Sequence, residues 1–190
     1  MSTPSFNAMQ TVKRRFFAMR NGIIADTLRR AGSPFRFIFG LNLPQIIEIA
    51  TEIGISSALA EELWQNRSTR ESMLLAPLIV DKESFTQEDA ERWIASIPAA
   101  EVADILCHKL LRHQDYAWEL SEKLIHEKVT ISSKKNRVAW TQYTAIRLAF
   151  NLVGQNPDRA LAIAQAPDIQ VDLYPFAQSL VMEAKFVLES

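Results

Sequence analysis

The clearest fold signal in this chain is the stretch Thr86-Gln87-Glu88-Asp89-Ala90-Glu91-Arg92-Trp93-Ile94-Ala95-Ser96-Ile97. A threonine followed three residues later by a carboxylate is typical of a helix start, because each side chain can satisfy a backbone N–H of the first turn. The apolar residues then recur at the offsets of one helical face, at Ala90, Trp93, Ile94 and Ile97. The stretch therefore predicts an amphipathic α-helix.

On both sides of this helix, glycine, proline and capping residues separate further segments of helical length. Towards the N-terminus, one helix is predicted over 5–31, with Gly22 as a point where it bends or splits and Gly32-Ser33-Pro34 as its end. Pro44 is expected in the first turn of the next helix, which Gly54 ends. The N-terminal part of the chain is therefore expected to be helical.

Several other helix starts are predicted from N-capping residues and prolines. They are Ser56 or Ser57, the box Ser68-Thr69-Arg70-Glu71, Pro98, Asp115, and Ser132 or Ser133. Pro77 is expected to kink the helix that contains it or to mark a start elsewhere, and Gly154 to end the helix through Trp140. No strand is predicted.

Helices of this length joined by short loops favour antiparallel neighbours that stack in pairs. The predicted fold class is therefore all-α, an α-α superhelix of antiparallel helix pairs in a single domain over residues 1–190. No repeat is visible in the sequence itself, so a compact helical bundle is the rival arrangement.

The composition is that of a globular chain, with 48% hydrophobic and 23% charged residues among 190, so a core can form without a covalent staple. The single cysteine, Cys107, excludes an internal disulfide and favours a reducing compartment, so a cytoplasmic location is expected. Residues 1–10 lack a signal-peptide pattern, and the longest apolar stretch, Leu74–Val80, is too short to span a bilayer. No membrane partner is expected.

Metal and cofactor motifs are also missing from the sequence. The three histidines lack the spacing of metal ligands, and one cysteine cannot build a zinc site with several thiolates. No phosphate loop, dinucleotide fingerprint or nucleophile elbow is present. We therefore expect neither a metal nor another cofactor.

The net charge of −1 conceals blocks of opposite sign. Residues 1–36 carry +6, residues 37–128 carry −8, and residues 129–151 return to +4. Two positive segments that flank an acidic middle can form an anion-binding surface if the fold brings them together. The candidate phosphate contacts are Lys13, Arg14 and Arg15 in the first segment, and Lys134, Lys135 and Arg137 in the second. Solvated helix faces are the alternative interpretation.

Three helical stretches together suggest a family. The first is Gly40-Leu41-Asn42-Leu43-Pro44-Gln45-Ile46-Ile47-Glu48-Ile49-Ala50, followed by Leu59–Trp64 and Glu71–Ala76. The second is Thr86–Ile94 leading to Val102-Ala103-Asp104-Ile105-Leu106-Cys107, and the third is Trp140-Thr141-Gln142-Tyr143-Thr144-Ala145-Ile146. Over about residues 40–150 they resemble the bacterial DNA alkylation repair family, DNA glycosylases built from HEAT-like helical repeats.

This resemblance implies HEAT-like helix pairs and excision of a cationic alkylated base from double-stranded DNA. Asp104 matches the family aspartate, which stabilises the positive charge that develops on the sugar as the glycosidic bond breaks. In the family an arginine and tryptophans hold the phosphate and pack against the lesion. Here Ala100 replaces an aromatic residue one turn before Asp104, and Tyr143 stands where the family has its arginine. We interpret the chain as a relative that has lost the glycosylase reaction.

Each of these residues can also have a purely structural role. Asp104 can equally be a solvated residue or the partner of a nearby base, and His108 lies one turn after it on the same face. Trp140, Tyr143 and Arg147 can form a polar and aromatic strip suited to a ligand or a phosphate, although core packing is as good an explanation for Trp140. The remaining tryptophans are expected in the core: Trp64, Trp93 and Trp118.

Three functional hypotheses follow from these residues. The first is a non-catalytic or weakly active relative that binds nucleic acid or another acidic partner through a concave basic surface. The second is a working glycosylase that uses Asp104, with Arg147 as a substitute for the missing arginine. The third is a scaffold for a protein partner, because stacked helix pairs commonly present a groove.

Overall fold

The computed structural model describes residues 7–127 and 139–190. Across these residues the regular elements are α-helices, two short 3-10 helices and one isolated bridge between Phe37 and Thr69. The helices are α1 Ala8–Ala18, α2 Gly22–Arg30, α3 Leu43–Ile53, α4 Ser57–Gln65, α5 Arg70–Ile79, α6 Gln87–Ile94, α7 Ala100–Lys109, α8 Ala117–Ile125, α9 Trp140–Leu152, α10 Pro157–Ala164 and α11 Tyr174–Glu189.

The chain divides into two compact units, residues 1–85 and residues 86–190. The single domain over 1–190 stays a prediction. In the first unit α5 packs against α3 and α4, and α1 packs against α4. The core of this unit is formed by fully buried side chains, among them Phe16, Leu41, Ile46, Ile49 and Trp64.

Local capping chemistry sets several helix bounds of the first unit. Pro44 lies in the first turn of α3, whose capping box joins Asn42 and Gln45, and α3 ends before Gly54, as predicted. The side chain of Ser56 caps α4, which also agrees with the prediction. Pro77 lies inside the last turn of α5.

The segment predicted as helical over 5–31 forms two helices, and the second begins at Gly22, the point where the sequence predicted a bend or a split. Asn21 accepts hydrogen bonds from the backbone N–H groups of Ile23 and Ile24, and so caps a new helix at Gly22. The capping side chain competes with the continuing helix for these N–H groups, which ends α1 at Ala18. α2 ends at Arg30, before Gly32, as expected.

The capping box predicted at Ser68–Glu71 does not form. Thr69 is the N-cap of α5 but makes no capping hydrogen bond with its side chain. The Arg70 N–H donates instead to the Phe37 carbonyl at 3.0 Å, and the Phe37 N–H donates to the Ser68 carbonyl at 2.8 Å. A distant extended segment thus satisfies a backbone donor that a local box would otherwise satisfy.

Glu71 does not cap α5, and its carboxylate accepts hydrogen bonds from the backbone of residues 39–41 instead. Its Oε2 accepts from the Phe39 N–H at 3.1 Å, and its Oε1 accepts from the Gly40 N–H at 2.9 Å and the Leu41 N–H at 3.4 Å. Arg70 donates to Glu71 Oε1 and to the Leu41 carbonyl, both at 3.0 Å. The pair therefore holds this extended segment inside the unit.

In the second unit α9 is the central helix, which packs against α6, α7, α8, α10 and α11. The capping box of α6 joins Thr86 and Asp89, as the sequence predicts. α7 begins at Ala100, shortly after Pro98. α8 begins at Ala117 without a capping side chain, so the cap predicted at Asp115 is wrong.

The predictions for the ends of α9 and for the burial of the tryptophans are confirmed only in part. Ser132 and Ser133 lie outside the described residues, while α9 ends at Leu152, two residues before Gly154. The predicted burial of Trp64 and Trp93 is confirmed, whereas Trp118 is half-buried with the Arg159 guanidinium 5.2 Å from its ring. None of the helices in the described ranges has the length and apolar character needed to cross a bilayer.

Candidate functional site

The packing of α7 against α9 brings Asp104 to Tyr143 and Arg147. These two residues are one turn apart on α9 and therefore point in the same direction. Arg147 Nε lies 2.6 Å from Asp104 Oδ1 in an ion pair. The Tyr143 hydroxyl donates to the same oxygen at 2.9 Å, and Arg147 Nη2 donates to the Tyr143 hydroxyl at 3.2 Å. The three polar groups form a closed triangle.

An aromatic wall surrounds the guanidinium of this triangle. The Phe176 ring, from the first turn of α11, has its centroid 4.7 Å from the Arg147 guanidinium carbon. Phe176 also stacks on Tyr143 at 4.9 Å and on Phe150 at 5.3 Å between ring centroids. Arg147 is thus held by cation–π contacts as well as by its carboxylate.

Trp140 extends this wall along α9. Its ring meets Tyr143 edge-on, with 5.6 Å between the centroids. The predicted strip of Trp140, Tyr143 and Arg147 is therefore present as a geometric feature, and Trp140 is half-buried. Its proposed contact with nucleic acid stays a prediction. We refer below to Asp104, Tyr143, Arg147 and Phe176 as the Asp104 cluster.

The environment of the Asp104 cluster changes two pKa values. Burial raises the pKa of the Tyr143 phenol, the Asp104 charge raises it further, and the hydrogen bond from Arg147 opposes the rise. Burial lowers the pKa of Arg147, but the Tyr143 hydroxyl and the Asp104 carboxylate outweigh that effect and raise it overall. The phenol therefore stays protonated and the guanidinium stays charged at neutral pH.

Two other polar residues near Asp104 in the sequence, His108 and Cys107, make no hydrogen bond to it in the described contacts. His108 is exposed, and its Nδ1 lies 3.2 Å from Arg112 Nη1, on the next turn of the chain. Cys107 is buried with its Sγ 3.6 Å from the Thr144 carbonyl, and burial raises the pKa of its thiol. Cys107 is thus a packed, unreactive thiol.

The basic residues predicted on α1 have different surroundings. Arg15 is held by two glutamates of α3, Glu48 at 3.5 Å and Glu52 at shorter range. Lys13 and Arg14 are exposed. Arg15 therefore forms its ion pairs within the first unit. The second predicted triplet, Lys134, Lys135 and Arg137, lies outside the described residues.

Two members of the site were not anticipated from the sequence. Phe150 follows Tyr143 by two turns of α9, so a longer helical strip is the signal that would have found it. Phe176 carries no such signal, because only tertiary packing brings α11 to α9. Over the described residues, no group of three histidine, cysteine, aspartate or glutamate side chains forms a metal site.

Comparison with known proteins gives two findings. A family model described as DNA alkylation repair enzyme matches residues 12–166. A solved structure described as "a new family of proteins related to the HEAT-like repeat DNA glycosylases with affinity for branched DNA structures" has a TM-score of 0.60 and 17% sequence identity, over 92% of this chain and 82% of that chain. This likeness confirms the predicted fold class, an all-α superhelix of HEAT-like helix pairs. No curated protein matches.

Proposed function

The chain belongs to the DNA alkylation repair family, as its sequence resemblance predicted, and from this premise we propose that the protein binds DNA without excising bases. In this proposal Asp104 is the counter-ion of Arg147 and not a catalytic residue. A cytoplasmic location and a concave basic surface shared by the two basic segments stay predictions.

The contact between Asp104 and Arg147 carries the proposal that excision is lost. A glycosylase uses its carboxylate to stabilise positive charge on the sugar, which requires a negative field at that point. Here the guanidinium lies 2.6 Å from the carboxylate oxygen, and the Tyr143 hydroxyl donates to the same oxygen. The positive guanidinium offsets the field that an oxocarbenium-like sugar would experience.

Two further features of this chain support the same proposal. Ala100, one turn before Asp104, offers no aromatic ring against which a lesion could pack. Phe176 lies against the guanidinium and covers one side of it. A flipped base would therefore find no aromatic wall on α7, and the arginine on α9 would be open to it only on the side that Phe176 leaves exposed.

The proposal of DNA binding is supported by charge and by family membership. Residues 1–36 contribute a net charge of +6, and basic segments supply the salt-dependent part of DNA affinity. The similar solved structure is described as having affinity for branched DNA structures. We extend that affinity to this protein as part of the proposal, so a four-way junction is the first probe to test.

A working glycosylase is the second candidate, and one observation favours it. Asp104 and Arg147 are 40% and 31% exposed as side chains, so the pair can still reach a ligand from solvent. Arg147 also lies beside Asp104. It could therefore take the place of the family arginine, which is Tyr143 in this chain. Excision would require the incoming sugar to displace Arg147 from Asp104.

The test combines binding and excision on the full chain. We would measure fluorescence anisotropy with a four-way junction, an intact duplex and a duplex with a central abasic-site analogue, each over a salt series. Wild-type protein is expected to bind at micromolar concentration or tighter, with affinity that falls steeply as salt rises. Incubation with alkylated duplex is expected to release no base.

Asp104→Asn separates the two candidate functions. If Asp104 is a counter-ion, the variant gains local positive charge and binds the junction several-fold more tightly. If Asp104 is catalytic, wild type releases base, and the variant loses that release with little change in affinity. Glu91→Gln is the matched control, because Glu91 forms an ion pair with Lys123 at 2.6 Å and, among the described residues, none of its hydrogen bonds involves the Asp104 cluster.

A protein scaffold is the remaining outcome of the same measurements. Absence of binding to all three probes at low salt would retire both DNA functions. The predicted protein partner would then be the working hypothesis.

A further inference from the structure

An exposed phenylalanine lies between two cations at the end of α1. Lys13 and Phe17 are one turn apart on this helix, and Arg20 follows in the turn after it. Phe17 is 57% exposed. The Arg20 guanidinium carbon lies 3.9 Å from the centroid of the Phe17 ring, and Arg20 Nη1 donates to the Phe17 carbonyl at 2.8 Å. The result is a stripe of cation, ring and cation, which we call the Phe17 stripe.

The backbone beneath the Phe17 stripe is fixed to the rest of its unit. The Asn21 N–H donates to the Phe39 carbonyl at 2.8 Å, and Gln45 Nε2 donates to the Met19 carbonyl at 3.4 Å. Gly40 has a φ of +80°, and a Cβ there would lie 2.1 Å from the Asn21 carbonyl oxygen. The turn between α1 and α2 therefore presents Phe17 from a rigid support, which lowers the entropy cost of binding a ligand.

The charges around the Phe17 stripe favour an anionic ligand. No acidic residue occurs in residues 7–25, and the first one, Asp26, is paired with Arg29 at 2.7 Å. The two glutamates of α3 that lie against α1, Glu48 and Glu52, are paired with Arg15. Beyond the turn, Ile23 is 81% exposed and offers a second apolar contact. A nucleic-acid strand carries negative phosphates with an aromatic base between them. The two cations of the stripe can bind successive phosphates while the Phe17 ring stacks on the base between them.

We propose that the Phe17 stripe binds an unpaired DNA base, which stacks on Phe17 while Lys13 and Arg20 contact the phosphates on either side. This inference rests on the proposed DNA binding and assigns to it a site outside the Asp104 cluster. A base inside a duplex has both faces covered by its neighbours, so the stripe selects single-stranded arms and branch points.

Phe186 on α11 supplies a matched comparison within the same chain. It is 69% exposed and also lies on a helix, but Glu183 and Glu189 stand three residues before and after it. Carboxylates at these positions repel phosphates. Phe186→Ala therefore removes an exposed phenylalanine without removing a site for DNA.

The experiment uses the full chain and three labelled probes in fluorescence anisotropy. The first is a single strand of thymidines, and the second is an equally long strand whose central nucleotides are abasic spacers that keep their phosphates. The third is a blunt duplex of the same length. Phe17→Ala is expected to weaken binding to the thymidine strand about tenfold, as loss of one stacked base does, and to leave binding to the abasic strand unchanged.

Three further substitutions sharpen the result, and Phe186→Ala is the control. Phe17→Trp is expected to restore tight binding, since a larger ring stacks at least as well. Lys13→Gln and Arg20→Gln are each expected to weaken binding to both single strands and to lower the salt dependence by about one phosphate contact. Phe186→Ala is expected to match wild type on every probe. Circular dichroism would verify that each variant is folded.

Different failures have different meanings. If wild type binds junctions or duplexes but Phe17→Ala leaves the thymidine strand unaffected, the Phe17 stripe is overturned and the proposed function stands. If wild type binds none of the DNA probes at low salt, the proposed function fails and the stripe fails with it. If Phe17→Ala abolishes binding to vesicles of anionic phospholipid and changes no DNA affinity, the surface binds membranes and the inference is wrong.

Discussion

The two units each contain an arginine paired with a carboxylate, and the two pairs differ in burial. In the first unit Arg70 and Glu71 lie 3.0 Å apart, with side chains 10% and 0% exposed. In the second unit Arg147 and Asp104 lie 2.6 Å apart, with side chains 31% and 40% exposed. The distances are similar, but the surroundings give the pairs different roles.

The difference shows how burial determines the role of an ion pair. The buried Glu71 accepts three backbone N–H groups from residues 39–41, so its charge is compensated by fixed dipoles and by Arg70. The part-exposed Asp104 is compensated by two side chains, those of Tyr143 and Arg147. The first pair therefore stabilises the fold, whereas the second can be displaced by a ligand at modest cost.

Glu71→Ala is expected to have the largest effect on stability. It leaves buried N–H groups unpaired and the Arg70 guanidinium without its carboxylate, which should lower the free energy of unfolding by about 3–5 kcal/mol. Urea denaturation would measure the loss, and Glu62→Ala, at an exposed position of α4, is the control. A loss below about 1 kcal/mol would remove the distinction between the pairs.

Phe176→Ala is expected to have the next largest effect. The ring packs against Arg147, Tyr143 and Phe150 but is only half-buried. We expect a loss of about 2 kcal/mol, roughly half of what a fully buried phenylalanine contributes. Thermal unfolding would measure it, with the exposed Phe186→Ala as control. Equal melting temperatures in the two variants would show that the aromatic wall contributes nothing.

A double-mutant cycle on Asp104 and Arg147 tests the second pair directly. Asp104→Asn, Arg147→Gln and the double variant should give a coupling energy of about 0.5–1 kcal/mol, because water screens a part-exposed pair. Urea denaturation of the four proteins gives this number. A coupling energy as large as the loss in Glu71→Ala would make Asp104 a structural residue like Glu71.

The smallest expected effect concerns the proton of Tyr143. Burial raises the pKa of the folded-state phenol above its unfolded value, so the associated stability is fully present below about pH 10. It is lost as the pH rises through the raised value. Burial also raises the pKa of Tyr116, so phenolate absorbance during an alkaline titration should show a late component that is smaller in Tyr143→Phe than in wild type. An identical late component in both proteins would contradict the assignment to Tyr143.

Local signals predicted the elements whose partners lie within a few residues. The capping box from Thr86 to Asp89 and the first turn around Pro44 formed as expected, because the groups that hydrogen bond are neighbours in sequence. The same type of signal failed at Ser68–Glu71. There the segment around Phe37, some thirty residues earlier in the chain, provides the bonds that the local box would have made.

The candidate site was predictable in part. Asp104, Trp140, Tyr143 and Arg147 were found from the family resemblance and from helical spacing, because residues on one helix keep a fixed relation. Phe176 was not found, because no sequence pattern states which face of α11 meets α9. Phe17 was not found either, because its neighbour Phe16 is fully buried and only the structure distinguishes the two.

The sequence by itself determined the helices, most of their ends, the family and the helix that carries Asp104, since each depends on spacing along the chain. Only the tertiary structure decided which partners the carboxylates take. Glu71 meets a segment about thirty residues away, and Asp104 meets the aromatic wall of α9 and α11. Such contacts depend on how helices pack, and packing is set by the whole core and not by any local pattern.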